Sequence, residues 1–285
     1  IVKNEEEILE RCLKSIKDAD EIVICDTGST DKTIEIAKKY TDKVFTDYKW
    51  NDNFAEARNH CLKKCKGDWI ITIDADEYLQ EDGIKKAKKA AKIAEKNGFK
   101  SVNCIVISER KGEEHYQPRL YKRDKDIFWK GDIHNYLSVS EKCQSDIRFY
   151  YGYSSAHNND PNRALRILKK VVAEKPECSR EKFYLAREYS YRNDWIKALY
   201  WCQEYEKKQS WAPEMAENYL LMAKSLWCLQ RGEEARDACL KAIKINADFK
   251  EALSFMAEMS GPNNQKKWEQ YAKLAENKGV LFRRK

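Results

Sequence analysis

A chain of 285 residues is long enough for two domains and a sizeable core. Its 54 Lys and Arg are interleaved with 47 Asp and Glu, so the net charge of +7 is a mild field that suits anionic small molecules and argues against a nucleic-acid-binding stripe. Charged residues make up 35%, mean hydropathy is −0.82, and no apolar run nears the roughly 18 residues a membrane helix needs, so no transmembrane segment is expected.

The chain opens on "IVKNEEE" with no initiator Met and no signal peptide, which predicts that a short N-terminal piece, including most of a first strand, is missing. From there to about residue 155, short β-branched runs alternate with helical patterns. "EIVICD" (21–26), "KVFTD" (43–47), "WIITID" (69–74) and "SVNCIVI" (101–107) are separated by "DKTIEIAKKY", "NFAEARNHCLKKC" and "GIKKAKKAAKIAEKNG". The alternation predicts an α/β domain over 1–155, Rossmann-like with a mostly parallel sheet and helices on both faces. Ligands on such sheets bind beyond the carboxyl ends of the strands, so the acidic strand ends at Asp26 and at Asp74 with Asp76 point to one crevice.

Each acidic strand end has a chemistry of its own. In "ICDTGSTDKT" (24–33), Asp26 closes a strand, Gly28 permits a tight turn, and Ser29, Thr30 and Asp31 can cap the next helix; an ordinary strand-turn-helix junction would look the same. "WIITIDADEYL" (69–79) runs from a buried strand into three carboxylates, Asp74, Asp76 and Glu77, whose mutual repulsion calls for a cation or strong donors. Alternate residues of an extended segment share a face, so Asp74 and Asp76 can point together as oxygen ligands for Mn²⁺ or Mg²⁺ beside substrate phosphates.

After residue 155 the strand signals stop and a small-residue pattern repeats. Ala164, Leu168, Val171 and Pro176 have the spacing of a second tetratricopeptide helix; Ala198, Cys202 and Tyr205 repeat it, as do Ala235, Cys239 and Ala242. The leading alanines lie 34 and 37 residues apart (198 − 164 and 235 − 198), first-helix partners fall around Leu185–Tyr189 and Met222–Leu226, and a weaker last unit centres on Trp268, Ala272 and Ala275. This predicts an all-α repeat domain over 156–285 with a concave surface for a partner, the alternative being a generic helical bundle. The ten cysteines are scattered, several at apolar positions, and are expected to be mostly reduced core residues of a cytoplasmic protein; Cys61 and Cys65 sit at i, i+4 but lack two further matched zinc ligands.

Four motifs in order, "IVKNEEEILERCLKSI", "EIVICDTGSTDKT", "WNDNFAEARN" and "WIITIDADEYL", resemble the family 2 glycosyltransferases of GT-A fold. More narrowly, they resemble a subgroup with a C-terminal tetratricopeptide array that includes the sublancin S-glycosyltransferase. The resemblance implies that Val2, Asn4, Glu5 and Asp26 line a base and ribose pocket with Ser29 and Asp31 nearby. Phe54, Arg58 and Asn59 would lie close to the diphosphate, although Phe54 could equally be plain helix packing, and Asp74, Ala75 and Asp76 would form the Asp-x-Asp segment. Asp74 and Asp76 would hold Mn²⁺ or Mg²⁺, with His134 of "KGDIHNYL" or else His157 as a further ligand, and Arg119 would face donor or acceptor.

Many members carry His-Glu where this chain has His134 followed by Asn135, an amide that cannot act as general base. Asp132 and Glu77 are the candidates by position, and a thiol acceptor would need less help because its pKa is near 8.5. The expected function is an inverting, metal-dependent transfer of a hexose or N-acetylhexosamine from a UDP-sugar to a peptide Cys, Ser or Thr, with the repeats presenting the acceptor or forming a homodimer. The rivals are transfer to lipopolysaccharide core or another cell-surface glycan, a nucleotidyltransferase, and a tetratricopeptide adaptor with a degenerate catalytic half.

Overall fold

The structure is a computed structural model that describes residues 1–110, 114–152, 154–155, 160–208 and 211–281. The chain divides into two compact units that meet between Pro161 and Asn162. The first starts with α1 (Leu9–Ser15), β1 (Ile24–Cys25), α2 (Thr33–Lys38), β2 (Val44–Phe45) and α3 (Phe54–Lys64). There follow β3 (Trp69–Ile71), β4 (Glu77–Leu79), α4 (Gly83–Lys96), β5 (Ser101–Ser108), β6 (Glu114–Lys122), β7 (Trp129–Lys130), β8 (Tyr136–Leu137) and β9 (Lys142–Tyr151).

The α/β class expected from the alternating pattern is present, but the balance of strand directions differs. β1 and β2 pair in parallel and Val2 bridges Asp26 in the same sense, whereas the larger sheet, in the order β3-β6-β5-β9-β4, is antiparallel in every pairing except β5 with β9. The expectation of a mostly parallel sheet is therefore corrected to a mixed one. The short link between β5 and β6 can only reverse the chain, since a parallel return needs a crossover of a dozen or more residues. β7 and β8 form a separate antiparallel hairpin.

Two sequence features position the site. α4 is alanine-rich, a composition that favours helix, and it buries Ile84, Ala87, Ala91 and Ala94 at three- and four-residue spacing. That face packs on a core with Val102, Cys104, Ile147 and Phe149, which closes one side of the sheet. On β6 the register slips: Val102 faces Leu120 but Asn103 faces Pro118, leaving Arg119 as the extra residue of a bulge. Pro118 has no N–H to give a ladder, so a bulge is where a strand tolerates it, and a bulge re-aims the side chain beside it.

The second unit contains α5 (Arg163–Glu174), α6 (Arg180–Tyr191), α7 (Trp195–Glu206), α8 (Ala212–Cys228), α9 (Gly232–Ile245), α10 (Lys250–Glu258) and α11 (Pro262–Leu274). Consecutive helices pack as pairs, α6 with α7, α8 with α9 and α10 with α11, in the tetratricopeptide manner. The small residues that set the repeat, Ala198, Cys202, Ala235, Cys239 and Ala242, are fully buried at the helix crossings, where a larger side chain would hold the backbones apart. Trp268 and Ala272 of the last pair pack less deeply, in line with its weaker pattern.

All ten cysteines are free, and five are buried; Cys228 is exposed, unlike the core position expected of most. Among the described residues no helix is long and apolar enough to cross a membrane. Because Ala235 has no exposed surface, Ala235→Leu is expected to overpack the α8–α9 crossing and cost about 1–3 kcal/mol, read as a lowered midpoint in urea unfolding.

Candidate functional site

Two groups of side chains assemble at the strand ends of the first unit. One is a clasp between the N-terminal segment and the turn after β1. Val2 N–H donates to Cys25 O (3.0 Å) and Thr27 N–H returns to Val2 O (3.0 Å), which lays the N-terminal segment alongside β1. Asn4 N–H donates to Ser29 Oγ (2.9 Å) while Asn4 Oδ1 accepts Thr30 N–H (2.7 Å). Glu5 N–H donates to Thr33 Oγ1 (2.7 Å), and Asp31 accepts Glu6 N–H (3.2 Å) and Thr33 N–H (3.0 Å) on its two oxygens.

Asp26 organises this turn from within. Its Oδ1 accepts the N–H of Gly28 (2.8 Å) and of Ser29 (2.9 Å), and its Oδ2 accepts the Ser29 hydroxyl. Gly28 sits at φ 107°, a conformation that disfavours any side chain. Val2, Asn4, Glu5, Asp26, Ser29 and Asp31 are thus brought together, largely through bonds to one another. Glu5 also accepts the Ser154 hydroxyl (2.6 Å), a partner 149 residues away that sequence spacing had no means of revealing.

The second group is an ionic chain around the acidic turn between β3 and β4. Arg58, on α3, donates from Nη2 to Asp74 Oδ1 (2.7 Å), and Arg119, in the β6 bulge, approaches Asp74 Oδ2 with Nη1 (3.4 Å) and pairs through Nη2 with Glu77 Oε1. Glu77 Oε2 accepts Asp74 N–H (2.9 Å), and Glu77 N–H donates to Asp74 O (3.0 Å). Burial pushes Asp74 upward, but the Arg58 and Arg119 guanidinium groups outweigh it and hold the carboxyl well below the usual carboxylate range. For Glu77 burial dominates over the pull of Arg119, with Asp74 adding to it, and the carboxyl lies above its ordinary value.

Neighbouring elements hold the arginines in place. Arg58 lies 5.0 Å from the Trp129 ring. Asn59 bonds both ways with the Trp129 backbone (Nδ2 to O 2.9 Å, N–H to Oδ1 2.8 Å), pinning β7 to α3. Trp129 is a contact no motif pointed to. Ala75 is buried between the two aspartates, and Asp76 accepts Gly152 N–H on its backbone carbonyl (3.1 Å).

The remaining expected residues are placed less centrally. Asp132 and His134 lie in the turn of the β7–β8 hairpin, where the Asp132 carbonyl accepts Phe54 N–H (2.8 Å) and His134 is exposed at φ 50°. Asp132 lines a cleft of about 450 Å³ with Tyr48, Glu56, Lys63 and Lys130. Phe54 stacks edge-on against Trp50 at 4.8 Å, a packing role. His157 lies outside the described residues. Among the described residues no three His, Cys, Asp or Glu side chains converge as a ready-made metal cluster.

The mixed α/β unit thus gathers acidic and cationic side chains at its strand ends. The chain belongs to glycosyl transferase family 2, whose sequence model matches residues 1–164. It is 29% identical over 203 residues to the SPbeta prophage-derived glycosyltransferase SunS of Bacillus subtilis (strain 168), covering 66% of this chain and 47% of SunS. Over 81 residues it is 48% identical to a TPR repeat-containing protein of Synechococcus elongatus, covering 28% of this chain and 20% of that one. Over 85 residues it is 36% identical to the lipopolysaccharide core biosynthesis glycosyltransferase LpsC of Rhizobium meliloti, covering 28% and 31%. The chain spans about half the length of SunS and less of the others.

A carboxyl whose pKa is depressed on folding adds stability that is present above its unfolded value, about 3.9, and is lost as pH falls through the folded one. Removing a guanidinium from Asp74 raises its folded pKa and shrinks that contribution. Arg58→Gln should therefore move the acid-unfolding midpoint of the protein to higher pH, followed by tryptophan fluorescence; an unchanged midpoint would mean that Arg58 does not hold Asp74 ionised.

Proposed function

We propose that the first unit is an inverting glycosyltransferase that moves a hexose or N-acetylhexosamine from a UDP-sugar to a peptide side chain, Cys, Ser or Thr. The observation that carries this reading is Asp74, kept ionised between Arg58 and Arg119 one residue from Asp76, in a chain whose family transfers sugars. The clasp at Val2, Asn4, Glu5, Ser29 and Asp31 takes the nucleoside. Asp26 is buried and accepts three hydrogen bonds within the turn, so in this reading it shapes the pocket that the other residues of the clasp line.

Asp74 and Asp76 offer carboxylate oxygens of the kind a hard divalent cation, Mn²⁺ or Mg²⁺, takes, but both oxygens of Asp74 already face guanidinium groups, so the ion would have to displace one of these and complete its shell with phosphates and water. In this reading Asp74 and Asp76 would hold it; His134, the further ligand expected from sequence, is not gathered with them as a ready-made metal cluster. When bound, such an ion neutralises charge that builds on the leaving nucleoside diphosphate. Arg58, which donates to Asp74 and lies against the Trp129 ring, would in this reading meet a phosphate oxygen with its planar guanidinium.

For a hydroxyl acceptor the base role falls to Asp132, which lines a cleft next to α3. A cysteine thiol near its ordinary pKa supplies some thiolate unaided. The helical repeats serve in this reading to present the acceptor, or to join two copies, and ten free cysteines go with a cytoplasmic setting. The likeness to LpsC over 85 residues favours a second reading, in which the acceptor is a lipopolysaccharide-core or other surface glycan.

Release of UDP from a panel of UDP-sugars with Mn²⁺ tests the donor and metal assignments. Asp76→Ala should lower that rate by about 10²-fold or more, the scale of losing one charge-stabilising group in a transition state. Turnover in Asp76→Ala equal to that of the unmodified protein, or turnover confined to GDP-sugars, would refute the assignment. Mass spectrometry of Cys- and Ser-containing peptides incubated with the active donor then separates the acceptors, since sugar on glycan alone would remove the peptide reading.

A further inference from the structure

We propose that Glu77 and Arg119 are positioning residues that fix the Asp74-to-Glu77 turn in its working shape before the donor arrives, and that Glu77 is not a general base. This rests on the sugar-transfer reading above for what the turn does, but the placement argument stands on geometry.

Glu77 has little capacity left to accept a substrate proton. It is 4% exposed, one carboxylate oxygen is paired with Arg119, and the other accepts Asp74 N–H at 2.9 Å. Since Glu77 N–H also donates back to Asp74 O at 3.0 Å, the turn is a closed ring of two bonds with Asp76 inside it. Arg119 braces the ring from outside. Its guanidinium reaches both Asp74 and Glu77, and it can do so because it is the extra residue of the bulge beside Pro118, which turns it off the regular alternation of β6.

A third anchor is at Gly152, whose N–H holds the Asp76 carbonyl at 3.1 Å. The turn is thus held by the Glu77 ring at the start of β4, by Arg119 of β6 through Asp74 and Glu77, and by Gly152 just past β9 through the Asp76 carbonyl. Such preorganisation matters for a site that must stabilise charge without rearranging as it builds.

The test compares Glu77→Gln, Arg119→Gln and the double variant Glu77→Gln/Arg119→Gln, the last of which removes both charges and so avoids stranding a buried guanidinium. Mn²⁺ affinity is measured without donor by electron paramagnetic resonance, and kcat and KM for UDP release are measured separately. Each single variant should lose roughly 10- to 100-fold in Mn²⁺ affinity or kcat, as for groups that orient metal ligands, and the losses should not multiply in the double variant.

Four results would overturn the proposal. Glu77→Gln could keep Mn²⁺ affinity and UDP release while losing only transfer to a hydroxyl, which would make it the base. The two losses could multiply, or only the melting temperature could fall. Amide exchange in the ligand-free protein reads the placement independently of any activity: Asp74 and Glu77 N–H should be protected, and that protection lost in Glu77→Ala. Equal exchange in both would sink the proposal even if the unmodified protein releases UDP. An unmodified protein that shows the protection but neither binds Mn²⁺ nor releases UDP would instead refute the functional reading.

Discussion

A carboxylate with its side chain about one third exposed, gripped by two guanidinium groups, sets the requirements for the rest of the first unit. Arg119 and Glu77 are almost entirely buried, and removing either partner of such a pair strands a charge in a poor solvent at a cost of about 3–5 kcal/mol. The chain Arg58–Asp74–Arg119–Glu77 balances two positive groups against two negative ones, which makes its burial tolerable. Balance demands that α3, the β3–β4 turn and β6 meet at one point, and the mixed sheet brings β3 beside β6 so that they do.

The clasp around Asp26 works on a different scale. Its bonds run between backbone N–H groups and short side chains in two segments about 25 residues apart, in front of a core to which Val2 and Ile24 belong. Each such bond contributes about 1 kcal/mol net, so the clasp gains its definition from number and direction rather than strength. That would suit the nucleoside proposed for it, whose donors and acceptors must be held at fixed angles. It also ties the pocket to Ser154, close to the end of the unit, through Glu5.

The sequence was most readable where structure is local. β1, β2, β3 and β5 each begin or fall within β-branched runs, and α2, α3 and α4 follow from periodicity and from caps such as Asn53, whose side chain accepts Glu56 N–H. β6 and β9 were missed because "EHYQPRLYK" carries Pro118 and "KCQSDIRFYY" opens on a mostly polar half with no β-branched run; both are strands because of what pairs with them. The repeats were readable since each small residue at a crossing recurs at a fixed interval. In the site, the acidic residues were evident from their spacing, but the partners of Asp74 lie 16 and 45 residues away, and a bulge that turns one arginine inward leaves no mark in a single sequence except the proline beside it.

Asp26 and Asp74 look alike in sequence, each an aspartate closing a strand, and the structure gives them opposite dependence. Asp26 takes its donors from residues two and three positions ahead, so its geometry follows from "DTGS" wherever that turn can form. Asp74 has its carboxylate oxygens met by guanidinium groups from α3 and β6, so it is held in place only when the sheet has closed and the bulge has formed. A turn that is complete in itself can present a nucleoside pocket cheaply, but it cannot fix a charge against repulsion from its neighbours. The acidic turn can, because its geometry is set by elements far apart in the chain.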